Sequence, residues 1–84
     1  MSTFYELSPV YDSRKSFYGK AHVMTGSDGE KILISYTTPV CRAKDGKLER
    51  IWYGHSATTS RHIREFCRQM GLEEEYKRVY GGNI

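Results

Sequence analysis

Thr59-Ser60-Arg61-His62-Ile63-Arg64-Glu65-Phe66-Cys67-Arg68-Gln69-Met70 is the stretch that decides the fold. Ile63, Phe66, Cys67 and Met70 stand at i, i+3, i+4 and i+7, which makes one apolar stripe on a helix. Such a stripe must be buried against another layer. Arg61, Arg64, Glu65 and Arg68 fall on the opposite face, where Glu65 is expected to neutralise Arg61 in part. Ser56-Ala57-Thr58-Thr59-Ser60 precedes the helix and is rich in residues whose hydroxyls accept from the free N–H groups of a first turn. Gly71 suits the left-handed position that ends a helix. The spacing therefore predicts a helix over 59–70. Leu72, Tyr76 and Val79 repeat at helical spacing and predict a short second helix, with Glu73–Lys77 and Glu74–Arg78 as i,i+4 pairs and Gly81-Gly82 as its end.

Upstream, the period changes from helical to alternating. Ala21, Val23 and Thr25 alternate with Lys20, His22 and Met24, a half-buried strand pattern. Gly26-Ser27-Asp28-Gly29 is a turn. Ile32, Ile34, Tyr36, Thr38 and Val40 share one face of a long strand, and Leu33, Ser35, Thr37 and Cys41 share the other, with a bend or bulge expected at Pro39. Asp45-Gly46 is a tight-turn pair. A strand follows over 48–53. Residues 1–16 read as an edge strand and loop, since Pro9 interrupts their apolar residues. The fold class is α+β: an antiparallel sheet of three or four strands built from hairpins, one amphipathic helix packed on a face, and a short C-terminal helix. The chain reads as a single domain, 1–84, with its core over about 17–80 and a tail at 81–84. The expected core is Val23, Ile32, Ile34, Tyr36, Val40, Ile51, Ile63, Phe66, Cys67 and Met70, joined at its edge by Leu72 or Tyr76.

Eighty-four residues suffice for one thin core, which seven Tyr, three Phe and one Trp help to fill. The net charge of +3 is compatible with a nucleic-acid partner without demanding one. Cys41 and Cys67 are two cysteines without a disulfide framework, and they read as free, buried, small hydrophobes. Met1–Val10 lacks the basic-then-apolar pattern of a signal peptide, and no apolar run approaches the roughly 18–20 residues of a membrane span. The expectation is a reduced, cytoplasmic protein with no membrane partner.

Two groups of residues are candidates for function. Arg61, Arg64 and Arg68 can lie along a phosphate backbone, with a solvated outer face as the plain alternative. On the hairpins, Lys20, Lys44, Arg50 and Trp52 stand among Arg14, Lys15, Phe17, Tyr18, His22, Arg42 and Lys47. Interleaved charges and rings serve phosphate and base contacts, and they serve ordinary cross-strand pairing as well. Thr58-Thr59-x-Arg61-His62 places two hydroxyls, an arginine and a histidine at a helix start, which suits an anion or simply a capped junction. The histidines and cysteines lack zinc-ligand spacing, and no cofactor or metal is expected. His22 and His55 could form an acid–base pair for phosphodiester cleavage, but no nucleophile elbow, phosphate-cradling loop or paired carboxylate accompanies them. A non-catalytic binding protein is expected.

Asp12-Ser13-Arg14-Lys15-Ser16-Phe17-Tyr18-Gly19-Lys20-Ala21, Leu33-x-Ser35-Tyr36-x-Thr38-x-Val40 and Ser56-x-Thr58-Thr59-x-Arg61-His62-Ile63-x-Glu65-Phe66 together resemble a family of short proteins of unknown function. That family is encoded by bacteriophages and mobile elements of Gram-positive bacteria, and the resemblance covers about residues 11–70. It implies a host bacterial cytoplasm and a small binding protein, and it transfers no catalytic residue. The partner it implies is nucleic acid, DNA or RNA. The alternative is a host defence complex, of CRISPR type for example, that the protein would inhibit. An exposed strand edge would also allow a homodimer.

Overall fold

The structure is a computed structural model that describes residues 3–82, so the tail expected at Asn83-Ile84 lies outside the described residues. The elements run β1 (Thr3–Glu6), β2 (Ala21–Thr25), β3 (Lys31–Ser35), β4 (Thr38–Lys44), β5 (Lys47–Arg50), α1 (Ala57–Met70) and α2 (Glu73–Tyr80). The strands form one antiparallel sheet in the order β1-β2-β3-β4-β5, and α1 packs on one face of it against β3 and β4.

The sheet has five strands because the stretch expected as one long strand is a hairpin. Ser35 pairs with Thr38, and Tyr36 turns the chain between them at φ 59. The bulge expected near Pro39 is present: Leu33 faces Cys41 while Ile34 faces Pro39, which leaves Val40 as the extra residue. The bulge turns Val40 and Cys41 both inward. Asp45 and Gly46, with φ 52 and 75, close the β4–β5 hairpin as the Asp-Gly pair requires.

The core is Leu7, Phe17, Ala21, Val23, Leu33, Val40, Cys41, Ala43, Leu48, Ile63, Phe66, Cys67, Leu72 and Tyr76. It corrects the expected core on β3. Leu33 and Ser35 face α1, whereas Ile32 and Ile34 lie on the open face of the sheet, in line with Phe4, Met24 and His22. Both faces of β3 carry branched apolar residues, so alternation alone did not identify the covered one. Tyr36 and Ile51 are also outside the core, at 49% and 42% exposure, because one sits in a turn and the other follows the end of β5. Cys41 and Cys67 are free and buried, and burial raises the Cys41 thiol to about 12.

Helix α1 begins at Ser56, whose hydroxyl accepts from the Thr59 N–H at 3.3 Å, and ends at Gly71 with φ 70. Glu65 corrects the expected outer face. It is 1% exposed, and its carboxylate accepts from Val10 N–H at 2.8 Å, Tyr11 N–H at 3.0 Å and Asp12 N–H at 2.8 Å. Gln69, one turn on, donates to Glu65 and to the Ser8 carbonyl. The long connection from β1 is thereby pinned along α1. Arg61 pairs with Asp12, at 3.4 Å, rather than with Glu65.

Helix α2 does a similar service at the other edge. Its ion pairs are Glu74–Lys77 and Glu75–Arg78, at i,i+3 rather than the expected i,i+4. Glu75 accepts from the Leu48 N–H at 2.9 Å and Arg78 donates to the Leu48 carbonyl at 3.2 Å. Side chains thus satisfy a backbone pair on β5 that an edge strand would leave open.

Two outcomes follow from this packing. Phe66 is fully buried at the centre of the α1 stripe, so Phe66→Ala should lose roughly 3–5 kcal/mol in chemical denaturation, through lost transfer energy and a cavity. Glu65→Gln should destabilise despite its equal size, because an amide presents a donor to N–H groups that need an acceptor. Burial pushes the Glu65 carboxyl up, but the hydrogen bonds from Gln69, Val10, Asp12 and Tyr11 outweigh it and hold the pKa below the ordinary 4.5. As pH falls, the unfolded chain takes up this proton before the folded one. The contribution is therefore complete above about pH 4.5 and lost as pH falls through the folded pKa. The melting-temperature gap between parent and Glu65→Gln should be constant from neutral pH to about pH 5 and shrink below that.

Candidate functional site

The segment Tyr11–Lys20 is ordered by short polar contacts. The Asp12 carboxylate accepts from the Arg14 N–H at 2.9 Å and the Ser16 hydroxyl from the Tyr18 N–H at 2.8 Å. Phe17 anchors the segment in the core, edge-on to the His62 ring with centroids 4.6 Å apart. A turn from Phe17 to Lys20 then returns the chain into β2, with Tyr18 at φ 53 and Gly19 at φ 73. The Glu6 carboxylate accepts from the Gly19 N–H at 2.9 Å, and the Tyr36 N–H donates to the Lys20 carbonyl at 2.6 Å. Two hairpin-like turns thus stand side by side, each presenting a tyrosine.

Between them and the first turns of α1 is a cleft of about 210 Å³, lined by Arg14, Ser16, Phe17, Tyr18, Lys20, Tyr36, Thr58, Arg61 and His62. Tyr18 is 74% exposed. Tyr18 and Tyr36 both hold left-handed backbone, a conformation that costs a non-glycine residue on the order of 1–3 kcal/mol. The Lys20 ammonium lies 5.8 Å from the centre of the Tyr36 ring. Three cations line the cleft. Of these, Arg14 and Lys20 enter no ion pair among the described residues, and Arg61 has its contact to Asp12.

His62 belongs to the helix-start motif that suits an anion or a capped junction. It is 1% exposed, at the floor of the cleft. Its Nδ1 is 2.8 Å from the Ser35 hydroxyl, which is 3.0 Å from the Thr59 hydroxyl. Burial holds the imidazole pKa below its ordinary 6.5, against a smaller upward pull from Asp12. Burial thus favours the neutral form of the ring. Thr59 accordingly serves the Ser35–His62 network, while Ser56 supplies the cap.

The other sequence-derived candidates separate into groups. Arg64 and Arg68, both half-buried, follow Arg61 along α1 at helical spacing and enter no ion pair among the described residues. Lys44 and Arg50 lie in a different groove, with Arg42, Lys47, Tyr53 and Arg78, and this groove shares no lining residue with the cleft. Its cations are largely engaged. Arg42 pairs with Glu49 at 2.6 Å, Arg78 with Glu75 at 2.7 Å and Lys44 with Asp28 at 3.7 Å. The Arg50 guanidinium lies 4.9 Å from the Tyr53 and Tyr80 rings, and its Nε donates to the Trp52 carbonyl at 3.1 Å. Trp52 is partly buried against the core and folds over Gly54, where a Cβ would collide with its ring. Lys20 is thus the hairpin cation that shares a site with the helix.

The sequence reading noted Arg14 and Tyr18 only within a broad group and assigned Tyr36 to the core. The Ser16-Phe17-Tyr18-Gly19 order, with a hydroxyl two residues before a Tyr-Gly turn, was the available signal for a tyrosine held outward. Among the described residues no three His, Cys, Asp or Glu side chains converge as a metal site would need, and no helix is long and apolar enough to cross a membrane.

No curated protein and no solved structure matches the chain. A family model matches residues 5–82, from β1 to the end of α2, and by this match the chain belongs to a family of unknown function, DUF8033.

Proposed function

We propose that the protein binds nucleic acid through the surface formed by Tyr11–Lys20 and the arginine side of α1. The observation that carries this reading is the contrast between the two basic regions. In the β4–β5 groove the cations other than Lys47 are paired with carboxylates or stacked on rings. Along the cleft and α1, Arg14, Lys20, Arg64 and Arg68 enter no ion pair among the described residues, and of these Lys20 lies over the Tyr36 ring. Tyr11 and Tyr18 are exposed beside them, at 58% and 74%. Free cations suit phosphates, and outward rings suit bases. The likeness of the three motifs to phage and mobile-element proteins supports the same setting, a host bacterial cytoplasm in which a small binding protein acts on nucleic acid.

A second reading has its own support. Among the described residues no layer covers the open face of the sheet, which carries Phe4, Met24, Ile32 and Ile34, and Phe4, stacked on His22 at 4.7 Å, is 61% exposed. An apolar face of this kind suits a protein partner. An inhibitor of a host defence complex would use it.

Fluorescence anisotropy with single-stranded and duplex oligonucleotides across a salt series separates the two readings. Nucleic-acid binding by this surface predicts a steep loss of affinity with salt. For single strands, replacing Arg64 and Arg68 by Gln should reduce the slope of log K against log salt by about 0.7 per arginine. Absence of binding at low salt, or a slope unchanged in the double variant, would contradict the proposal.

A further inference from the structure

His62 makes the cleft more than a basic patch. It is 1% exposed, yet it lines the cleft, and only one of its ring nitrogens is engaged by protein. Nδ1 belongs to Ser35. Nε2 bonds no group among the described residues and keeps a trace of accessible surface, on a ring that lines the cleft.

The hydroxyl chain behind the ring assigns its proton. If Thr59 donates to Ser35, and Ser35 donates to Nδ1, each hydroxyl hydrogen of the chain has an acceptor. The neutral ring then carries its proton on Nε2. In the reverse order Nδ1–H donates to Ser35 and Ser35 to Thr59, and the buried Thr59 hydroxyl hydrogen has no acceptor among the described residues. Buried hydrogen-bonding groups are seldom left unpaired, so the first arrangement is favoured. The floor of the cleft is therefore a fixed N–H donor, and its rim holds Arg14, Lys20 and Arg61.

Donor and cations together define the ligand. No carboxylate lines the cleft, though Asp12 partly neutralises Arg61 from behind, so two cations without ion pairs, a third paired with Asp12 and one neutral donor face whatever occupies it. A phosphodiester brings a single negative charge. A phosphate monoester brings about 1.5 to 2 at pH 7 and three strong acceptor oxygens, and it matches the site better. Tyr18 and Tyr36 flank the same opening and offer ring faces for the attached base.

Resting on the nucleic-acid reading above, we propose that the cleft binds a terminal phosphate of a nucleic-acid strand. His62 Nε2–H and the cations Arg14, Lys20 and Arg61 hold the phosphate, and Tyr18 and Tyr36 hold the terminal base. The protein is then a reader of strand ends rather than of continuous backbone.

The test compares one oligonucleotide sequence in three forms: 5′-phosphorylated, 3′-phosphorylated and with hydroxyls at both ends, each labelled internally and measured at the same salt. One phosphorylated form should bind about tenfold or more tightly than the hydroxyl form. Thymidine 5′-monophosphate should displace it where thymidine does not. In Lys20→Gln, an exposed position that should not threaten folding, the preference should fall towards unity. His62→Gln, checked for folding by its melting curve, should lose the preference as well. Equal affinity of all three forms would overturn the end-binding proposal and leave general nucleic-acid binding standing. Failure of every oligonucleotide to bind would overturn both.

Discussion

The carboxylate of Glu65 organises the functional side of this protein. It sits in the middle of α1 and accepts three successive backbone N–H groups, those of Val10, Tyr11 and Asp12. A buried carboxylate is tolerable only when it is this well satisfied. The arrangement fixes the path of the connection between β1 and β2. It sets Asp12 beside Arg61, starts the turn that carries Arg14, and leads the chain to Phe17, which inserts beside His62. Without that anchor, the segment that forms one wall of the cleft would have few reasons to lie along the helix.

A division of labour runs across the molecule. On the β5 side, charge is spent on structure: Glu75 and Arg78 close the backbone of Leu48, and Arg42 and Lys44 meet acids. The hydrogen bond and charge of Arg78, with the Leu48 N–H, hold the Glu75 carboxyl far below the usual range, at about 2. On the α1 side, cations are left free and two tyrosines are kept in costly backbone geometry. Two strained tyrosines and several cations without ion pairs gathered about one cleft fit a surface with a use beyond folding.

The helices and two of the turns were legible because their signals are local. The apolar stripe from Ile63 to Met70, the glycine at 71 and the Asp45-Gly46 pair act within a few residues of themselves. The rest depended on distant partners. Glu65 reads as one more polar residue on a helix, since the N–H groups it binds are 53 to 55 positions away. Tyr36 has strong strand propensity, and nothing near it announces a left-handed turn, so Ile32–Val40 read as one strand. Ile32 and Ile34 are as apolar as Leu33, and only the placement of α1 decides which side is covered. The cleft was therefore the least legible feature, because the β1–β2 connection, the β3–β4 turn and α1 each contribute to it.

The most direct test of this account is a map of backbone amide shifts on titrating the folded protein with a short single-stranded oligonucleotide at low salt. The account predicts that the perturbed amides cluster in Tyr11–Lys20, at Tyr36 and along Thr58–Arg68, with the Arg42–Arg50 hairpin and the Phe4, Met24 and Ile32 face little changed. Perturbations centred on that hairpin or on the open sheet face, or no perturbation at all, would contradict it.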